Sequence, residues 1–199
     1  MKMKKLLAVV LTGVMAVSML TGCADIKTRQ IADQLEGMLK SVNTKATVSA
    51  TNNAEDLAEK AVKAVKADGV TFDGTAAISE GASTGKTADK AIADALKLSE
   101  TKDKYVWVMY IATKNVKTVD QANKIFGQVK DSTKAKNASV VENFKGTTEK
   151  DKDKTYKAMP GDKYEIGTET FSMGEGKDKT DYVMVVVTCK AVASTQTVG

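Results

Sequence analysis

Several groups of residues in this sequence have types and spacings that chemistry could use. Ser83 and Lys86 stand three apart within residues 81–87, GASTGKT, the separation at which a lysine can serve as base for a serine nucleophile. The same stretch has the lysine and threonine of a phosphate-cradling loop. However, three residues rather than four separate its glycines, and Glu80 stands where the first glycine belongs. Such a deletion changes which backbone N–H groups converge on a phosphate. Asp151, Asp153 and Thr155 alternate as in a calcium loop, yet Tyr156 holds the sixth position, where glycine must turn. Asp162 replaces the bidentate glutamate, and Lys150, Lys152 and Lys154 repel a cation. Tyr105 and Trp107 share one face of an apolar run, an aromatic platform for sugars if exposed and core packing if not. Cys189 alternates with Val183, Val185, Val187 and Ala191 and reads as a small, inert core residue on a strand. Histidine is absent, which removes the commonest general base and zinc ligand together. No catalytic or metal-binding set is complete, so the expectation is a non-enzyme without a cofactor.

The most specific signal lies at the start. Lys2, Lys4 and Lys5 precede an apolar run from Leu6 to Leu20, and Leu20, Thr21, Gly22 and Cys23 close it. A positive end, an apolar stretch and small residues make an export leader, and about 15 apolar residues fall short of the roughly 20 that span a bilayer as a helix. The closing four residues resemble the lipobox of bacterial lipoproteins. That resemblance covers the leader only. It implies cleavage between Gly22 and Cys23, a diacylglyceryl group on the Cys23 thiol and attachment of the rest of the chain to a membrane. Ser83 and Lys86 are similar in spacing to the serine-lysine pair of penicillin-binding proteins and class A β-lactamases. The Ser-Asp-Asn and Lys-Thr-Gly segments of those enzymes are missing, and the chain is short for such a domain.

Removing residues 1–22 from the 199 leaves 177, enough for one domain with a real core. Three of the five net positive charges belong to the leader lysines, so the remainder carries only +2. Arg29 is the only arginine and no basic run is interleaved with aromatics, which argues against a nucleic-acid partner. With Cys23 lipidated, Cys189 has no partner for an internal disulfide.

The elements that must position these residues follow from periodicity. Ile31, Leu35, Met38, Leu39 and Val42 recur at helical spacing, and residues 44–53 read as a polar break. A second helix is expected to be capped by Asn53, with Leu57, Ala61, Ala64 and Val65 on its apolar face. Val70, Phe72, Ala76 and Ile78 alternate as a strand. Ala88, Ala91, Ile92, Ala95 and Leu96 mark a helix. Residues 105–112 are apolar on both faces and predict an interior strand. Thr118 and Gln121 form a capping-box pair before a helix carrying Ala122, Ile125, Phe126 and Val129. Val140, Val141 and Phe144 predict a short strand. Residues 149–154 suit a solvated loop, and Pro160 a Met-Pro-Gly-Asp turn. Tyr164 and Ile166 keep one parity and Phe171 and Met173 the other, which predicts a bulge near Gly167. Residues 182–192 read as a strand inside the sheet.

The expectation is therefore an α+β fold, with about four helices packed against a mixed or antiparallel sheet of about five strands. Residues 1–22 form the leader, 23–27 the lipidated tether and 28–199 a single extracytoplasmic domain. The function expected is a lipid-anchored binding or interaction module of the cell envelope, contacting another envelope protein or a cell-wall polymer. A small-ligand receptor of an uptake system and a hydrolase using Ser83 and Lys86 are the rival readings.

Overall fold

The computed structural model describes residues 26–72, 86–114 and 116–198. Four helices and a mixed five-stranded sheet make up the described part, as the α+β expectation required. Helix α1 (Ile26–Leu39) buries Ile31, Leu35 and Leu39, each one turn above the last. Val42 lies beyond its end and is 62% exposed, so it leaves the apolar face that the spacing assigns to it. The polar break after this helix contains a strand, β1 (Thr47–Ala50), too short to carry a period. Helix α2 (Asn52–Val65) is capped by Thr51 rather than Asn53, the Thr51 hydroxyl accepting from the Ala54 N–H at 3.3 Å. Its buried stripe is mostly alanine: Ala54, Ala58 and Ala61, with Val62 and Val65.

Two-residue strands β2 (Val70–Thr71) and β3 (Lys86–Thr87) pair in parallel, and the rest of the expected strand beyond Phe72 lies outside the described residues. Helix α3 (Ala88–Ala95) is capped by Thr87. Strand β4 (Lys104–Ala112) leads to α4 (Thr118–Val129). The expected capping box is not made there: Lys117 is the N-cap without a side-chain bond, and Gln121 is buried instead. The short strand expected from Val140 reduces to β5 (Phe144–Lys145), succeeded by the long strands β6 (Thr155–Met173) and β7 (Thr180–Thr197).

Strand order is β1-β6-β7-β4, with β5 beside the start of β6. In this sheet β1 runs parallel to β6 and the other pairs are antiparallel. Both faces are covered. Helices α1 and α4 lie over Tyr105, Trp107, Met109, Ile111, Val183, Val185 and Val187. Helices α2 and α3 lie over Val106, Val108, Tyr110, Met184 and Val186, where Phe72 packs against Tyr110, Phe171 and Tyr182. The double cover corrects two of the sequence expectations. Strand β4 is apolar on both faces because two helical layers cover it, yet it is the last strand of the ladder. The parity change after Ile166 likewise marks two buried faces and no bulge, for the β6–β7 register runs unbroken from Tyr164 to Met173. Register shifts fall instead between Tyr156 and Ala158 and between Pro160 and Tyr164, the second inside β6 where the sequence predicts a separate turn.

Gly167 shows why the two layers fit. A Cβ built there would stand 2.1 Å from the Ala54 carbonyl carbon and 2.1 Å from the Glu55 nitrogen, so the first turn of α2 rests directly on the strand backbone. Gly37, on α1, has nothing within 4 Å of the position a methyl group would take. Gly167→Ala should destabilise the protein by about 1–3 kcal/mol through overpacking, whereas Gly37→Ala should stabilise it by roughly 0.5–1 kcal/mol. Urea unfolding monitored by far-UV circular dichroism measures both, and equal effects would contradict this account of the helix–sheet contact.

Candidate functional site

Strands of 19 and 18 residues extend about 60 Å at a rise near 3.3 Å, whereas a 14-residue helix covers about 21 Å. Helices α1 and α2 therefore cannot cover the whole β6–β7 ribbon. At its far end, away from the 174–179 connection, the two faces differ. On the α1 side the segment 130–145 crosses the sheet from edge to edge, packing Ala135, Ala138, Val141 and Phe144 on the core. It is fastened by two asparagines. Asn137, 2% exposed, accepts from the Val106 N–H at 2.9 Å and donates to the carbonyls of Thr101 and Lys104 at 2.6 and 2.7 Å. Asn143 accepts from the Ala158 N–H at 3.0 Å on the opposite edge. On β1, the Glu36 carboxylate accepts from the Val48 N–H at 2.9 Å, and the Lys40 ammonium, then that N–H, hold its carboxyl below the ordinary value.

Beneath the strap lie the aromatic residues that stand out in the sequence. Trp107 is 1% exposed, stacks on Tyr105 at 5.8 Å between ring centres, and donates its Nε1–H to the Asp131 carbonyl at 3.2 Å. Tyr105 and Trp107 are thus core, and the sugar-platform alternative is corrected by their burial. Cys189 is buried beside them and its thiol donates to the Gly161 carbonyl at 3.4 Å. Burial, assisted by the Asp162 and Glu165 carboxylates, pushes that thiol up to about 12. Asp151 holds its own turn, accepting from the N–H and hydroxyl of Thr148 at 2.6 and 2.7 Å. Cys23, Gly22 and Ser83 lie outside the described residues, as does the Lys86 side chain.

The other face of the far end is open. Register places Lys104 of β4 directly opposite Lys190 of β7, while Lys163 of β6 flanks Lys190 at the irregularity between Pro160 and Tyr164. All three have the parity opposite to buried Tyr105, Cys189 and Tyr164, so they form a row across three adjacent strands, about 10 Å long. Lys163 and Lys190 are exposed and Lys104 is half-buried. Beside the row sit Met159 and Val192, paired in register and 43% and 38% exposed, with Lys157 next on the same parity. None of the ion pairs among the described residues involves Lys104, Lys157, Lys163 or Lys190. Glu165, on the same face, has its carboxylate at 3.5 Å from the Thr188 hydroxyl. Sequence reasoning misses this row because each lysine stands alone in its own strand. The available signal is a polar residue at an outward parity of an otherwise apolar strand.

Among the described residues no helix is long and apolar enough to cross a membrane. No protein family matches the chain, and no curated protein or solved structure is significantly similar to it.

Asn137→Ala leaves the Val106 N–H and two carbonyls without their partner and should cost about 2–4 kcal/mol, read as a lowered urea midpoint. Cys189 should resist iodoacetamide at pH 8 in the folded protein and react once urea unfolds it. Its raised value means that its contribution to stability is present below the ordinary value of 9.0 and is lost as pH rises toward about 12. Thermal unfolding of Cys189→Ala against wild type over that range checks the sign, since the variant should show the smaller alkaline loss.

Proposed function

We propose that the chain is a lipid-anchored, non-enzymatic binding module of the bacterial cell envelope, displayed outside the cytoplasmic membrane. The observation that carries this reading is the leader, in which three lysines, an apolar run and Leu20-Thr21-Gly22-Cys23 stand in order. Two acyl chains on the glyceride of Cys23 would hold the protein where a single chain does so only marginally. The binding role draws support from the chemistry present: histidine is absent and the thiol of Cys189 is buried.

The start of the folded domain suits a short tether. Helix α1 begins at Ile26, three residues after Cys23, and the Thr28 hydroxyl lies 2.5 Å from that of buried Thr168 in β6. Met159 stands nine residues along β6 from Thr168, about 30 Å away. The three links from Cys23 to Ile26 reach no more than about 11 Å.

Metabolic labelling tests the anchor. Labelled palmitate should appear on the wild-type protein and sediment with membranes, while Cys23→Ser should lose the label and the membrane association. Unchanged fractionation of Cys23→Ser would refute the proposed address.

A further inference from the structure

We propose that the row Lys104, Lys190 and Lys163, with Met159 and Val192 beside it, docks a linear polymer carrying a phosphate in each repeat, the chemistry of an anionic cell-wall polymer. The docking surface stands on the sheet geometry, and only its location in the envelope rests on the lipid-anchor reading.

Like charges directly opposite one another weaken a strand pair. Lys104 and Lys190 are such a pair, Lys163 adds a third positive charge beside them, and no ion pair among the described residues gives any of the three a carboxylate. Glu165 is the one carboxylate on this face beside the row, two residues from Lys163, so three ammonium groups face a single carboxylate and the patch stays net positive, complementary to an anion outside the fold. Lysine ammonium groups on flexible stems act as point charges and suit phosphates at uneven spacing, whereas planar bidentate recognition would call for arginine. The single arginine, Arg29, is on α1, the helix that covers the opposite face.

The same face disfavours other polyanions. Tyr105, Trp107 and Tyr164 all point to the buried side, so single-stranded nucleic acid would find none of these rings on which to stack a base. Met159 and Val192 offer apolar contact to the carbon backbone of a polyol phosphate instead. A membrane of anionic lipids offers phosphates on a plane, whereas a row about 10 Å long on one sheet face, with Met159 and Val192 beside it, matches the width of a single chain.

The test uses the full chain purified in neutral detergent and a synthetic linear poly(glycerol phosphate), with binding measured by biolayer interferometry at several salt concentrations. The wild type should bind with an affinity that falls as salt rises. The variant Lys104→Gln/Lys163→Gln/Lys190→Gln should bind about a hundredfold more weakly at low salt, with a shallower salt dependence. Its thermal midpoint should be unchanged or higher, because a repulsive row has been removed. Lys60→Gln/Lys66→Gln/Lys124→Gln removes equal charge from exposed positions on α2, at its C-cap and on α4, and should bind like wild type. Equal loss in both variants would overturn the proposal, as would tighter binding to phosphatidylglycerol vesicles or equal binding to polyglutamate. Absence of wild-type binding would overturn it also. A protein that binds the polymer but takes up no palmitate would refute the anchor and leave the docking surface standing; a palmitoylated protein that does not bind would do the reverse.

Discussion

The ladder between β6 and β7 is the interaction on which the rest of this structure depends. Register runs unbroken from Tyr164 opposite Cys189 to Met173 opposite Thr180 and resumes, after the irregularity, at Pro160 opposite Ala191. Every other layer is fitted to it. Strand β1 adds to one side and β4 to the other, α1 and α4 cover one face, and α2 and α3 cover the second. The contact is close enough at Gly167 that no side chain separates α2 from the strand. A sheet with two buried faces must leave its polar backbone satisfied within the ladder, which is why the ladder is long and continuous.

Such a sheet still has edges, and exposed edges invite pairing with other chains. Here one edge N–H on each of three strands is met by a side chain: Val48 of β1 by Glu36, Ala158 of β6 by Asn143 and Val106 of β4 by Asn137. Asparagine suits this because its amide offers a donor and an acceptor at the spacing of a peptide group. Asn137 uses both, replacing part of a missing neighbour strand while its own segment covers the sheet. The strap thus closes an edge and buries Tyr105, Trp107 and Cys189, removing the aromatic and thiol groups that look available in the sequence.

What remains open comes from a mismatch of lengths, since a residue advances a strand about twice as far as it advances a helix. The ribbon outruns α1 and α2, and a strap covers its end on one side only. On the other side the row of lysines and the pair Met159 and Val192 stay in contact with water.

Much of this is legible without coordinates. Helical spacing locates α1, α2, α3 and α4 within a few residues, and the alternation around Cys189 finds the central strand. These are local properties, set by side-chain period and by the chemistry of neighbouring residues. Lateral order is not legible: β4 reads as interior, β1 lies within a polar break, and the change of parity after Ile166 suggests a bulge, because composition reports which faces are covered and not which strands are neighbours. The lysine row belongs to the same class. Lys104, Lys163 and Lys190 are far apart in the chain and become adjacent only when backbone hydrogen bonding sets the register, so tertiary structure alone made them a surface.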